Sequence, residues 1–284
     1  MALTSDYLSI FAEMFDTSFD TVYQANGKLR NVCRRQFRNV NYNSLSVPRG
    51  GVANMRPLTS YQSDIPSQDI SVDNINVTFT PKQVKHTIGE FEAPNFRPDA
   101  IPMLAEDHAL AVSRFEDNII INALTDGKSA TIADSGTNMN VAKLVEARTK
   151  LGINNVTGNL YLLMHWSQMQ SMLGQLEYTD SSFNAEKTLV DPAAQKAAFA
   201  GFNIITYGDV LDGTTNIGLP KTGDIRSCYA FSDSSVILAY QKEVATRVVP
   251  VPNQLRMEVI TAASIGAKAF DGSGIIEIKC DETA

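Results

Sequence analysis

Asn95–Gly127 reads NFRPDAIPMLAEDHALAVSRFEDNIIINALTDG, and the arrangement of the whole chain turns on it. Asp99 stands where an N-terminal cap belongs, Pro102 is tolerated in a first turn, and Gly127 is a natural C-terminal stop. The spacing predicts a helix over about 99–126. From Pro102 to Thr125 alone it runs ~24 residues, or ~36 Å at 1.5 Å per residue. Leu104, His108, Ala111, Val112, Phe115, Ile119 and Ala123 trace one face, and Glu106, Asp107, Arg114 and Asp117 the other. The preceding stretch, from about Asn39 to Thr80, is turn-rich, β-leaning and poor in large apolar residues. A long rod after a stretch that cannot fold on itself predicts a subunit completed by its neighbours, not a compact enzyme.

The 284 residues suffice for one large domain or two ordinary ones, and 44% hydrophobic against 19% charged residues is a globular balance. A net charge of -7 argues against a dedicated nucleic-acid binder and leaves open transient contact with DNA. The start, MALTSDYLSIFAEMFD, carries Asp6, Glu13 and Asp16 and no basic n-region, so it does not read as a secretory signal. No apolar run approaches the ~18 to 20 residues that span a bilayer, so no membrane partner is expected. Cys33, Cys228 and Cys280, odd in number and far apart, fit a reducing cytoplasm better than a disulfide framework.

Working outward, residues 5–23 read as a helix, with Leu8, Phe11, Ala12, Phe15, Phe19 and Val22 at helical spacing and Gly27 interrupting it. The segment KLRNVCRRQFR gathers Lys28, Arg30, Arg34, Arg35 and Arg38. It is either a solvated helix face or a site that grips an acidic neighbour or nucleic acid. Between 41 and 80, Ile70 and Val72 and then Ile75, Val77 and Phe79 predict strands with Asp73-Asn74 as a turn or bulge. A protruding β-hairpin needing a partner for its edges is the account of this stretch. Lys82–Glu92 alternates as a strand.

After the long helix, a second helix is expected over 138–151, with Val141, Leu144, Val145 and Leu151 inward. NLYLLMH (159–165) and AGFNIITYG (200–208) read as buried strands around a short helix at 166–176. Polar loops are expected at 178–189 and 209–223, and strands at 227–231, 243–251, 254–267 and 274–280 complete an α+β pattern.

Sites for chemistry do not assemble. Asp126-Gly127-Lys128-Ser129 resembles the end of a phosphate-binding loop, but Asn122 stands where that motif needs glycine, and a helix C-terminus presents carbonyls. His86, His108 and His165 fall in no metal-ligand spacing and read as hydrogen-bonded structural residues. Glu90 and Glu92 share a strand face, the only acid/base couple a hydrolase would have, and read better as exposed or intersubunit ion pairs. No catalytic, cofactor or metal residue is nominated.

Several stretches carry a resemblance. ALAVSRFEDNIIINAL resembles the "spine" helix of the major capsid proteins of tailed bacteriophages, the Hong Kong 97-like fold. NLYLLMHWSQMQSMLG resembles the strand and helix that open that family's axial domain. AGFNIITYGDVL and SCYAFSDSSVILAYQKEVATRV resemble its later strand pair and closing short helix, and IGAKAFDGSGIIEIKCDE its last strands. The resemblance runs from about Asn41 to Asp281 and rests on the order of these patterns. It implies an N-terminal arm over 1–39, an extended loop over 40–81, a peripheral domain over 82–155 with the spine, an axial domain over 156–242, and a return to the peripheral domain over 243–284.

It further implies pentamers and hexamers of this chain in an icosahedral head around double-stranded DNA, made in a bacterial cytoplasm. A separate scaffolding protein, a portal and a decoration protein are the implied partners, and no crosslinking pair is marked. Lys28, Arg30, Arg34, Arg35, Arg38, Arg49, Arg56, Glu106, Asp107, Arg114 and Asp117 are the candidates for intersubunit or DNA contact. An encapsulin-type compartment shell of the same fold is the alternative, with a hydrolase behind it.

Overall fold

The long helix, α2 (Ala100–Gly127), spans 28 residues, about 42 Å at 1.5 Å per residue. It belongs to a computed structural model describing residues 5–51, 71–89, 100–175, 198–212, 215–251 and 256–283. Gly127 at its end serves a close approach: its φ is not left-handed, and a Cβ there would run into Ala269.

Helix α1 (Ser5–Asn26) packs along α2, from Ile101 to Glu116. Phe15 meets His108 edge-on at 5.4 Å between ring centroids, and Tyr23 donates to Glu116. Eight residues along one helix correspond to eight along the other, so the two run parallel. The stripe Phe11, Phe15, Phe19 is buried against Ile101, Ala105, Ala109 and Val112, at about 1.5–3 kcal/mol for each ring removed from water.

Two sheets flank the rod. The first is ordered β1 (Arg35–Phe37), β13 (Val236–Val251), β14 (Arg256–Ala269), β4 (Thr80–Gly89). Its centre is the long antiparallel ribbon β13–β14, bulged between Tyr240 and Ala245. Met257 and Val259 of β14 and Ile88 of β4 close the α1–α2 core from below. The second sheet runs β5 (Ala130–Ile132), β15 (Ile275–Asp281), β12 (Ile225–Ser232), β6 (Leu160–His165), β8 (Phe202–Tyr207), β7 (Ala198–Phe199), with β11 (Lys221–Thr222) on β12. The run LYLLMH is apolar almost throughout because β6 is an inner strand, parallel to β8 and antiparallel to β12. Helix α3 (Val141–Ile153) is capped by Asn140, whose side chain accepts from the Lys143 N–H at 2.8 Å. Helix α4 (Trp166–Leu173) follows β6 directly. A separate two-stranded sheet, β2 (Ser44–Gly50) with β3 (Val72–Thr78), forms the root of a hairpin.

Several expectations need correction. Asp117 is not on a solvated face: it is 4% exposed and its neighbour Glu116 1%. The second half of α2 is covered on several sides, by α1 and by strands of both sheets, so Ile120, Ile121 and Leu124 are buried too. Asp73 and Asn74 lie inside β3, opposite Arg49 and Pro48, because alternation continues through them. The basic segment is no helix. It forms a 3₁₀ turn, Arg30–Val32, and then β1, which adds in parallel to β13.

No short helix follows β12. A tight turn leads into β13, whose 16 residues cross the expected boundary at 242. Ile275–Asp281 pairs with β12 in the second sheet, not with the ribbon. Val145 of α3 points outward, 53% exposed. The helix after β6 ends at Leu173, with Gly174 as its cap. Residues 209–223 contain β9 (Val210–Asp212), β10 (Thr215–Ile217) and β11, with Leu219 buried. The loop expected at 178–189 lies outside the described residues.

Candidate functional site

Arg30, Glu116, Tyr23 and Asp117 form the joint between the N-terminal segment and the rod. Gly27 ends α1 and the 3₁₀ turn brings Arg30 back over the Tyr23 ring at 4.2 Å. Its guanidinium donates to the Tyr23 carbonyl at 3.2 Å and faces Glu116 Oε2 at 3.6 Å. Burial raises the Glu116 pKa, against the hydrogen bond from Tyr23 and the charge of Arg30. Burial also raises Tyr23, and Glu116 adds to it. One residue on, Asp117 accepts from the Leu29 N–H at 3.1 Å, yet burial lifts its carboxyl to about 7.

The hairpin root is seated by a missing side chain. A Cβ at Gly266 of β14 would run into the Thr78 carbonyl oxygen, so only glycine lets β3 lie this close. Val47 and Val77 then pack on Ile237 and Ala239, and Arg49 reaches Asp271 at 3.1 Å. Among the described residues β2 and β3 pair only with each other, and five of the seven β3 residues are exposed.

At the end of the second sheet, Arg226, 3% exposed, donates to Asp209 at 2.7 and 2.8 Å and to Glu282 at 2.5 Å. Lys221 also reaches Glu282, at 2.5 Å. Burial alone would raise Glu282, but the hydrogen bonds from Arg226, Lys221 and Gln168 hold it at about 2. Arg226 and Lys221 are both paired here, which locks the sheet end.

His86 and His108, twenty-two positions apart, meet at 2.6 Å between Nδ1 and Nε2, and His108 Nδ1 contacts Thr261 Oγ1 at 2.7 Å. Burial, and then the neighbouring His86, hold His108 down to about 4. The third histidine, His165, lies elsewhere, 3.7 Å from Asp209.

A phage capsid protein family model matches residues 9–282. The chain belongs to the phage capsid protein family. Solved capsid-type structures share its fold. A chain from Mycobacterium phage Che8 is 13% identical with a TM-score of 0.65, covering 90% of this chain and 91% of that one. The capsid of cyanophage P-SCSP1u is 12% identical, TM-score 0.65, over 88% and 86%. The virus-like particle from Pyrococcus furiosus is 12% identical, TM-score 0.62, over 92% and 96%. At these identities the likeness is of fold alone. The comparison with curated proteins found no match.

For a capsid subunit the functional residues are those that stay free for other molecules, and this sorts the sequence candidates. Arg30 and Asp117 are consumed by the internal joint. Arg35 stacks on Phe270 at 3.8 Å, Arg38 leans toward Glu243 at 3.6 Å, and Lys28 sits 5.8 Å over the Tyr207 ring. Arg34, Glu106 and Asp107 are exposed, Arg114 is half-buried, and none of these four forms an ion pair among the described residues. Arg56, Glu90 and Glu92 lie outside the described residues. Sequence reasoning missed Glu116, whose partners Tyr23 and Arg30 are remote in the chain, Arg226, which reaches Asp209 and Glu282, and Lys143, one of whose three carbonyl partners is Lys279.

Proposed function

We propose that this chain is the major capsid protein of a tailed, double-stranded DNA bacteriophage, assembling as pentamers and hexamers into an icosahedral head. The observation that carries the reading is the β2–β3 pair, which among the described residues is hydrogen-bonded only to itself and is mostly exposed. Open strand edges in a soluble monomer are an aggregation liability, and a neighbouring copy in a shell covers them. The parts of the fold take the family's roles in this reading: α2 as spine, β13–β14 with β4 and α1 as peripheral region, and the second sheet as axial region. A separate scaffolding protein, portal and decoration protein are its partners. Arg34, exposed and without an ion pair among the described residues, is its contact to a neighbour or to packaged DNA. A net charge of -7 keeps the rest of the subunit from adhering to the duplex.

Electron microscopy of the purified protein, alone and with the scaffolding protein, tests this. Capsomers or icosahedral shells are expected, and particles that persist only as monomers overturn it. A second reading, an encapsulin-type compartment, is favoured by the match to the virus-like particle over 96% of that chain. Duplex DNA inside native particles decides for the phage head, and a protein cargo without DNA for the compartment.

A further inference from the structure

Between α2 and the strands β4 and β14 lies a groove of about 440 Å³. Val84, Ala111 and Phe115 supply its apolar floor, and Lys82, Arg114 and Asn118 stand around it. Lys82 holds its ammonium 5.5 Å over the Phe115 ring, and neither Lys82 nor Arg114 has an ion-pair partner among the described residues. Two uncompensated cations over an apolar floor call for an acidic, partly apolar occupant.

The same subunit carries such a surface. At the start of the paired helices Ile10 is 58% exposed, Met14 41% and Met103 67%. Glu13, Glu106 and Asp107 are exposed beside them and form no ion pair among the described residues. The parallel register of α1 and α2, which sets Phe15 at His108 and Tyr23 at Glu116, puts Ile10 level with Met103 and Glu13 level with Glu106. Exposed methionine and isoleucine amid unpaired acids are the chemical complement of the groove.

We infer that the acidic Ile10–Met14–Met103 surface of one copy docks into the Lys82–Arg114 groove of a second copy of this chain. The two surfaces lie on one helix, with Glu106 and Arg114 eight residues apart, about 12 Å along the axis. They cannot meet within a subunit, and they differ from each other. With each copy offering one surface to one neighbour and the other surface to the next, the contact is heterologous, head to tail, and forms rings where its rotation closes. The inference rests on the assembly reading above and specifies one of its interfaces.

The test uses the full chain under conditions where the wild type assembles. Lys82→Glu with Arg114→Glu is expected to lower the assembled fraction at least tenfold while leaving the circular dichroism of the subunit unchanged. Adding Glu13→Lys, Glu106→Lys and Asp107→Lys to the same chain is expected to restore assembly to at least half the wild-type level. Normal assembly of the groove variant overturns the inference, as does failure of the combined reversal to restore it. Should either variant fold poorly, Lys82→Cys with Glu106→Cys provides a second readout. Mild oxidation of its assemblies is expected to give a covalent ladder, and monomer only overturns the contact. A wild type that forms no assembly counts against the capsid reading itself, which separates the two failures.

Discussion

Acidification should unfold this subunit partly through one imidazole. His108 is fully buried against His86, Thr261 and Phe15, and burial holds it near 4 against an ordinary 6.5. The native state therefore refuses a proton that the unfolded chain accepts. Between about pH 6.5 and 4 the unfolded state binds more protons, so stability falls as pH falls. The full shift corresponds to about 3 kcal/mol at 1.36 kcal/mol per pH unit. Most of that shift is expressed between pH 7 and pH 4.5, so about 1–3 kcal/mol is expected. With a denaturant slope of about 3 kcal/mol/M, that moves a urea midpoint by about 0.3–1 M.

His108→Gln keeps an amide for Thr261 and His86 but does not titrate. Urea unfolding of unassembled subunits, followed by circular dichroism at pH 7 and pH 4.5, should show the wild type losing that much more than the variant. Asp117, lifted to about 7, acts with the opposite sign, because ionising it as pH rises costs stability. It is present in both proteins and cancels in the difference. Parallel losses in wild type and variant would refute the reasoning.

Arg30→Met strands the buried Glu116 carboxylate. A loss of about 2–4 kcal/mol is expected, under the full cost of a broken buried pair because Glu116 can take a proton, and Glu116→Gln added to it should recover more than half in thermal melts. Without that recovery, Arg30 acts only by packing on Tyr23. Lys143, 5% exposed, donates to the carbonyls of Asp134, Thr137 and Lys279 at 2.8, 2.7 and 3.0 Å. Lys143→Met should cost about 2–4 kcal/mol and speed hydrogen exchange across 134–139, and unchanged exchange contradicts the staple. Gly266→Val should push the hairpin root off β14 at a cost of about 1–3 kcal/mol, read as faster proteolysis of 44–78. An unaltered digestion pattern would show that the hairpin does not depend on that close approach.

Legibility followed the range of the forces. Helix α2 and strands β6 and β8 were readable because capping, apolar periodicity and continuous apolar runs act within a few residues. The hairpin was readable as a stretch unable to bury itself, though Asp73-Asn74 misled as a turn signal: the ladder to Pro48 and Arg49 outweighs a weak local preference. Arg30 and Asp117 read as surface charges because charge is normally solvated. Both are drawn inward by a joint whose other members, Tyr23, Leu29 and Glu116, come from two segments almost ninety residues apart.

By itself the amino-acid order determined the rod over about 100–127 and the buried strands 160–165 and 202–207. These are properties of neighbouring residues. Tertiary structure alone decided that Ile275–Asp281 joins the second sheet, that β1 enters beside β13, and that Gly266 seats the hairpin. It also decided which charges are consumed inside and which, such as Lys82, Arg114, Glu106 and Asp107, form no ion pair among the described residues. Strand pairing and charge pairing depend on which distant segments meet in space, and no periodicity along the chain encodes that meeting.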